Sequence, residues 1–278
     1  MKSGVVGRAA RRAGALAGAA AAWGLFEAGW PRLRELELVV PGLPPGLDGL
    51  RIAHLSDFHL GVPSLGVHAV ERGVAWAASR SPDLVAITGD LLTRPGGEPR
   101  LRRLVGSLPG PAFAVLGNHD LAIARDPLAK ASALRELAPA RLLSDEGELV
   151  TLRGTRAWIA GADPRSVFRH ARKTDPNSLS HEADFRILLC HFPRVLDRLE
   201  PGRFELVLAG HMHDGQITLP YPGGKVRLAH PTARYASGVY RTRAAVMHVS
   251  PGLGTTFVPF RFGARPEATE LVLRSQPR

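Results

Sequence analysis

Five short apolar runs in this chain each end in a residue type that binds metal ions, and that recurrence limits the possible folds more than any other feature. Residues 51–56 lead into Asp57 and His59, 83–88 into Gly89-Asp90, and 111–116 into Gly117-Asn118-His119-Asp120. Residues 185–190 lead into His191, and 204–209 into Gly210-His211 and His213. Helical patterns over residues 67–79 and 98–108 separate the first three runs, and strands alternating with helices read as βαβ units with parallel strands. Asp57 to Asp90 is 33 residues and Asp90 to Asn118 is 28, close to the ~30 residues of one such unit. In α/β sheets, ligand sites gather at the carboxyl ends of the strands, so these separated pieces are expected to converge on one rim.

The middle of the chain breaks the rhythm. Residues 141–143, 149–152 and 157–160, separated by Asp-Glu-Gly and Arg-Gly-Thr, read as antiparallel strands, and 163–184 as an irregular excursion with a short helix. From Gln216 onward, short alternating runs with turn residues read as antiparallel β. The turn-rich Pro41-Gly-Leu-Pro-Pro-Gly46 is a linker, which sets residues 1–46 apart from a catalytic domain at 47–278.

Ahead of that linker, Lys2, Arg8, Arg11 and Arg12 precede an uncharged stretch from Ala13 to Phe26 that extends to Trp30 with only Glu27 interrupting it. Three readings stay open: a short membrane anchor, an export signal, or an alanine-rich helix packed on the domain. The basic leader favours the first two and hence a membrane-associated or exported protein. If the segment is an anchor, the leader predicts a cytoplasmic N-terminus and an extracytoplasmic catalytic domain. Gly14 and Gly18 stand at GxxxG spacing, weak evidence for dimerisation, while Trp23 and Trp30 suit either interfacial anchoring or packing on the domain. The net charge of +11, carried almost wholly by arginine, favours anionic partners. Cys190 is the only cysteine, so no intrachain disulfide forms, and its apolar run predicts a small buried hydrophobe.

Carboxylate, amide and imidazole donors in this mixture suit Mn, Fe, Zn or Mg better than soft thiolate metals. One carboxylate shared by two such ions holds them ~3.5–4 Å apart, the spacing used for in-line displacement at phosphorus. Two divalent cations bring four positive charges, of which Asp57 and Asp90 cancel two. A bridging hydroxide then leaves roughly +1, which attracts a phosphate and acidifies bound water.

Asp57-Phe-His59, Gly89-Asp90, Gly117-Asn-His-Asp120, His191 and Gly210-His-Met-His213 stand in the order of the calcineurin-like metallophosphoesterases, which this chain resembles over about residues 50–260. The resemblance implies a four-layer α/β/β/α sandwich, in keeping with the mixed parallel and antiparallel reading. It further implies a site with two divalent ions, manganese foremost. Asp57, His59 and His213 would hold the first ion, Asp90 would bridge, and Asn118, His191 and His211 would hold the second. His119 would stabilise the transition state or protonate the leaving oxygen, with Asp120 orienting and charging it.

A closer resemblance is to the membrane-associated subgroup that includes the YkuE-like phosphoesterases and the UDP-2,3-diacylglucosamine hydrolases of lipid A synthesis. It rests on the apolar N-terminus, Leu50-Arg-Ile-Ala-His-Leu-Ser-Asp57, His211-Met-His-Asp-Gly-Gln216 and Gly252-Leu-Gly254. The chain departs from it at Met212, where threonine is usual, and Asp214, where glycine is usual. Met212 is expected to point away from the ligands on either side of it. Asp214 either touches the shell around the ligands or narrows access. The implied substrate is a phosphorylated small molecule or lipid, such as a UDP-diacylglucosamine-like lipid, cut at a phosphodiester or pyrophosphate bond.

Two rival functions remain. A nuclease or cyclic-nucleotide phosphodiesterase would use the same chemistry, but aromatics are only 6% of the chain and do not interleave with basic runs, so nucleic acid is disfavoured. A non-catalytic scaffold would be expected to have lost ligands, and every one is present. His54 reads as a core histidine, and His68, His170, His181, His230 and His248 as structural or solvated.

Overall fold

The computed structural model describes residues 2–123, 125–168 and 174–276; His170 lies outside them. The apolar runs become strands nearly where the pattern placed them: β2 (Arg51–Leu55), β3 (Leu84–Thr88), β4 (Ala112–Val115), β8 (Phe185–Cys190) and β9 (Leu206–Ala209). Helices α2 (Gly66–Ser79) and α3 (Glu98–Val105) supply the predicted crossovers between β2, β3 and β4, which pair in parallel.

Two six-stranded sheets pack face to face. The first also contains β1 (Arg32–Val39), β5 (Arg141–Leu143) and β14 (Glu267–Arg274), in the order β1-β14-β2-β3-β4-β5. The second runs β12-β13-β9-β8-β7-β6, adding β6 (Glu146–Leu152), β7 (Thr155–Ala162), β12 (Gly238–Arg241) and β13 (Val246–Val249). A separate hairpin joins β10 (Thr218–Tyr221) to β11 (Gly224–Arg227).

Because side chains alternate across a strand, a continuous apolar run serves two cores at once. Ile52, Leu84 and Phe113 meet Ile159, Ile187 and Leu208 between the sheets, whereas Leu55, Val85 and Ile87 pack outward against α2 and α3. Leu188, Cys190 and Val207 face the opposite side, under the short helical turns Pro176–Leu179 and Pro193–Arg198; the five-residue helix α4 (Pro164–Phe168) follows β7. Helices, sheet, sheet and short helices make the four layers. Cys190 is buried, as its apolar run implied.

Three expectations change. Residues 141–143 run parallel to β4 rather than antiparallel, because the long segment between the two strands returns the chain to the same end of the sheet. In the C-terminal region β12 and β13 pair antiparallel as read, but β13 lies parallel to β9 and β14 parallel to β1. The folded unit also begins before residue 47. Strand β1, inside the segment set apart as anchor and linker, pairs with β14 from Arg32↔Glu267 to Val39↔Arg274. Its charges hid the strand: only Leu38 is fully buried, while Arg32 and Glu37 pair with Glu267 and Arg274 across the ladder.

Helix α1 (Lys2–Ala28) carries the alanine-rich stretch. No helix among the described residues is long and apolar enough to cross a membrane. The last turns of α1 are joined to the domain. The buried Glu27 carboxylate accepts N–H bonds from Gly263 (3.1 Å) and Ala264 (2.9 Å), and the Gly24 carbonyl accepts the Arg261 N–H (3.0 Å).

Candidate metal centre

The strand ends converge as expected. Five of the seven predicted ligands, Asp57, His59, Asp90, His211 and His213, have positive φ, between 48° and 75°. Left-handed backbone costs a non-glycine residue of order 1 kcal/mol or more, and such strain collects at functional sites. Here it turns each side chain over the rim directly after its strand or turn. Glycines allow the turns to pack closely: a Cβ on Gly117 would lie 2.1 Å from Asp90 Oδ1, and one on Gly210 would lie 2.5 Å from Asp57 Oδ2.

Among the described residues, three overlapping groups of donors form on this rim, the third made of His59, Asp90 and His119. Asp57, His59 and His213 present their ligand atoms together, and so do Asp90, His191 and His211. Asp90 Oδ2 lies 3.5 Å from His59 Nε2 and 3.2 Å from His191 Nε2, so it faces both groups, while Oδ1 accepts the His119 N–H at 2.8 Å. Asn118 Oδ1 is 3.0 Å from His191 Nε2, which places it in the second group. Ring nitrogens approach one another at 3.0 Å (His59–His213) and 3.2 Å (His191–His211), lone-pair donors aimed at common points. This donor set fits two divalent cations.

The electrostatics agree with that fit. Burial would raise the Asp57 and Asp90 carboxyls, but the facing imidazoles, His213 for Asp57 and His191 and His119 for Asp90, hold both below the usual range. Burial lowers His59 and His211, helped by the neighbouring rings of His119 and His191, and neutral rings are the form that ligates. His191 differs: burial opposes its charge, yet Asp90, followed by Asp57, pushes it up to about 9, so a metal ion there has to displace its proton. Orientation comes from groups around the ligands. His59 Nδ1 bonds Thr93 Oγ1 at 3.0 Å, and His191 Nδ1 donates to the Thr88 carbonyl at 2.9 Å, leaving each Nε2 toward the centre.

Other predicted residues fall as follows. Met212 is buried in the core beyond the second sheet, away from the ligands beside it. Asp214 does not close the site. It pairs with Lys225 and Arg227 and accepts from the Ser237 hydroxyl, tying the β10–β11 hairpin to the ligand turn. His54 and His248 are core histidines bonded to each other at 2.8 Å. Asp120 is wholly buried, but its oxygens accept the backbone N–H groups of Leu91, Leu92 and Gly117. It braces the Asp90 and Asn118 loops rather than touching His119. Burial, and then the nearby Asp90, push its carboxyl up to about 7.

The acid that does face His119 is Asp126, whose Oδ2 lies 3.8 Å from Nδ1. The sequence gives no signal for it, because it lies in an irregular loop with no motif around it. Arg261 also went unread, although a single arginine between Phe260 and Phe262 hints at a buried cation. It is fully buried, donates to the carbonyls of Pro251, Gly252, Gly254 and Ala264, and sits 2.9 Å from His213 Nδ1.

The layered sandwich and the paired His/Asp groups on its rim define a metal-dependent phosphoester hydrolase. By its match over residues 50–215, the chain belongs to the calcineurin-like phosphoesterase family. It is 29% identical to the uncharacterized metallophosphoesterase YkoQ of Bacillus subtilis, covering 81% of this chain and 84% of YkoQ. It is 30% identical to a transmembrane protein with a metallophosphoesterase domain from Danio rerio, over 91% of this chain and 60% of that one. With the UDP-2,3-diacylglucosamine pyrophosphatase LpxG of Chlamydia muridarum it shares 27% identity over 85% and 87% of the two chains.

Proposed function

We propose that this enzyme hydrolyses a phosphodiester or pyrophosphate bond in a lipid-linked or envelope substrate, using two divalent metal ions, manganese foremost. The observation that carries the reading is Asp90, whose Oδ2 faces both donor groups at once. When bound, the ions supply an acidified water and neutralise charge on the phosphate. Asp57, His59 and His213 would hold the first ion and Asn118, His191 and His211 the second, with Asp90 within reach of both. His119 Nε2, 3.9 Å from Asp90 Oδ2, faces the centre without belonging to either ligand set and gives its proton to the leaving oxygen.

The lipid-linked substrate is inferred by analogy with LpxG and is supported by a cleft of about 350 Å³ whose lining includes Asp126 and Thr256, the neighbours of His119. Leu128, Phe257 and Pro259 give this cleft apolar walls, and Phe257 is exposed. Membrane association is supported by the end of α1 and the turn after it, where Trp23, Phe26 and Trp30 cluster with centroids 5.3–6.5 Å apart and remain partly exposed. Aromatic rings of this kind favour the bilayer interface, and Arg11 and Arg12 on the same helix suit anionic lipid.

The test is hydrolysis by the full chain of an aryl phosphodiester, an aryl phosphomonoester and a UDP-linked diacylglucosamine, with and without Mn²⁺. Metal-dependent cleavage, strongest on the lipid and reduced ~10²-fold or more by His119→Ala, is expected. A folded, metal-loaded protein that cleaves none of the three would refute the reading.

A further inference from the structure

Asp126 lies on the loop that follows Asp120, and its side chain is 1% exposed. Its Oδ1 accepts the Leu128 N–H at 2.8 Å. Its Oδ2 accepts the Phe257 N–H and the Thr256 hydroxyl, each at 3.3 Å. The same Oδ2 faces His119 Nδ1 at 3.8 Å, and that nitrogen is buried without a hydrogen-bond partner. On the other side of the ring, His119 Nε2 is 3.2 Å from Thr256 Oγ1 and 3.9 Å from Asp90 Oδ2. The imidazole therefore spans two environments, with one nitrogen toward the metal centre and the other toward a lone buried carboxylate.

We infer that Asp126 is the positioning residue for His119, the role the motif order suggested for Asp120. Asp120 turns its oxygens to the backbone N–H groups of Leu91, Leu92 and Gly117, whereas an oxygen of Asp126 faces the ring at Nδ1. The 3.8 Å separation exceeds a hydrogen bond, and catalytic hydrogen bonds of this kind often tighten only in the substrate complex. With a proton on Nδ1 held toward Asp126, Nε2 is fixed toward the leaving oxygen. The Nε2 proton passes to that oxygen as its bond to phosphorus breaks, the bonding pair staying on oxygen. The ring keeps its Nδ1 proton and Asp126 stays ionised throughout, as in other His–carboxylate pairs. Thr256 and Phe257 hold the carboxylate from the opposite wall of the cleft, so the pair marks the leaving-group side.

This inference rests on the proposed hydrolysis, so its test has one arm that does not. In the zinc-loaded full chain with ¹⁵N-labelled histidine, long-range proton–nitrogen spectra report which His119 nitrogen carries hydrogen. Wild type is expected to show Nδ1–H, and Asp126→Asn a mixed or reversed state. The kinetic arm uses aryl methyl phosphodiesters whose leaving groups run from p-nitrophenol to phenol. Asp126→Asn is expected to lower kcat ~10–100-fold for the phenyl ester but less than about threefold for the p-nitrophenyl ester, which needs little protonation. KM and zinc content are expected to stay unchanged, and adding the substitution to His119→Ala to cost nothing further.

Should Asp126→Asn misfold, Asp126→Ser, which removes the carboxylate at Nδ1 and leaves the Thr256 contact with Nε2 in place, is expected to show the same leaving-group dependence. An equal loss across the series, an additive effect with His119→Ala, or an unaltered tautomer would overturn the assignment. A wild type inactive on every ester would count against the hydrolase reading alone, and the spectra would still decide the place of Asp126.

Discussion

Replacing Glu27 with alanine tests whether the end of α1 is part of the catalytic domain or a detachable leader. The Glu27 carboxylate accepts three bonds, from Trp23 Nε1 (2.9 Å), Gly263 N and Ala264 N. Ala264 is buried, so truncation leaves its N–H without an acceptor, at a cost of about 1–3 kcal/mol. Gly263 and Trp23 reach solvent, and their lost bonds are worth roughly 0.5–1 kcal/mol each. The expected loss is about 2–5 kcal/mol, read as a shift in urea unfolding at constant slope.

The same free energy predicts faster hydrogen exchange, by roughly 30- to 4000-fold, at the amides of residues 261, 263 and 264. Glu27→Gln, which keeps one acceptor oxygen, should lose about half as much. A Glu27→Ala protein within ~0.5 kcal/mol of wild type, with unchanged protection at those amides, would refute the reasoning. The effect also bears on the site, because Arg261 joins this segment to the Gly252 and Gly254 carbonyls and to His213.

Two more outcomes are expected. Gly117→Ala would put a methyl 2.1 Å from Asp90 Oδ1 and 2.3 Å from its backbone nitrogen, so it should lose bound metal by elemental analysis. Gly96→Ala, with nothing within 4 Å of the new carbon, is the control, and equal metal content in both would contradict the crowding argument. Burial, and then Arg34, push His248 down to about 3, below the unfolded value near 6.5. Its contribution to stability is therefore complete above about pH 6.5 and is lost at about 1.4 kcal/mol per unit as pH falls toward 3. Urea unfolding at pH 7 and pH 5.5 should show a steeper acid loss for wild type than for His248→Gln; equal losses would contradict the shift.

Sequence alone was enough for the elements whose signal is local. An apolar run of strand length bounded by glycine or a polar ligand, as at β2, β3 and β8, reports burial on both faces without reference to any other segment. The candidate ligand residues were legible for a related reason, since each lies within a few residues of the end of its own strand. The direction of β5 depended on how a long loop returns, and β1 was hidden because an edge strand needs few apolar residues when its charges pair along the ladder.

The partner of His119 shows the same division. Adjacency pointed to Asp120, but a left- or right-turning loop decides where neighbouring side chains aim, and Asp120 turned toward backbone N–H groups. Asp126, Thr256 and Arg261 reach the centre from loops that no periodicity governs. Only tertiary structure could place them, because an irregular loop leaves no pattern to say where its side chains aim, whether the partner is close in sequence, as for Asp126 and His119, or distant, as for Thr256 and His119.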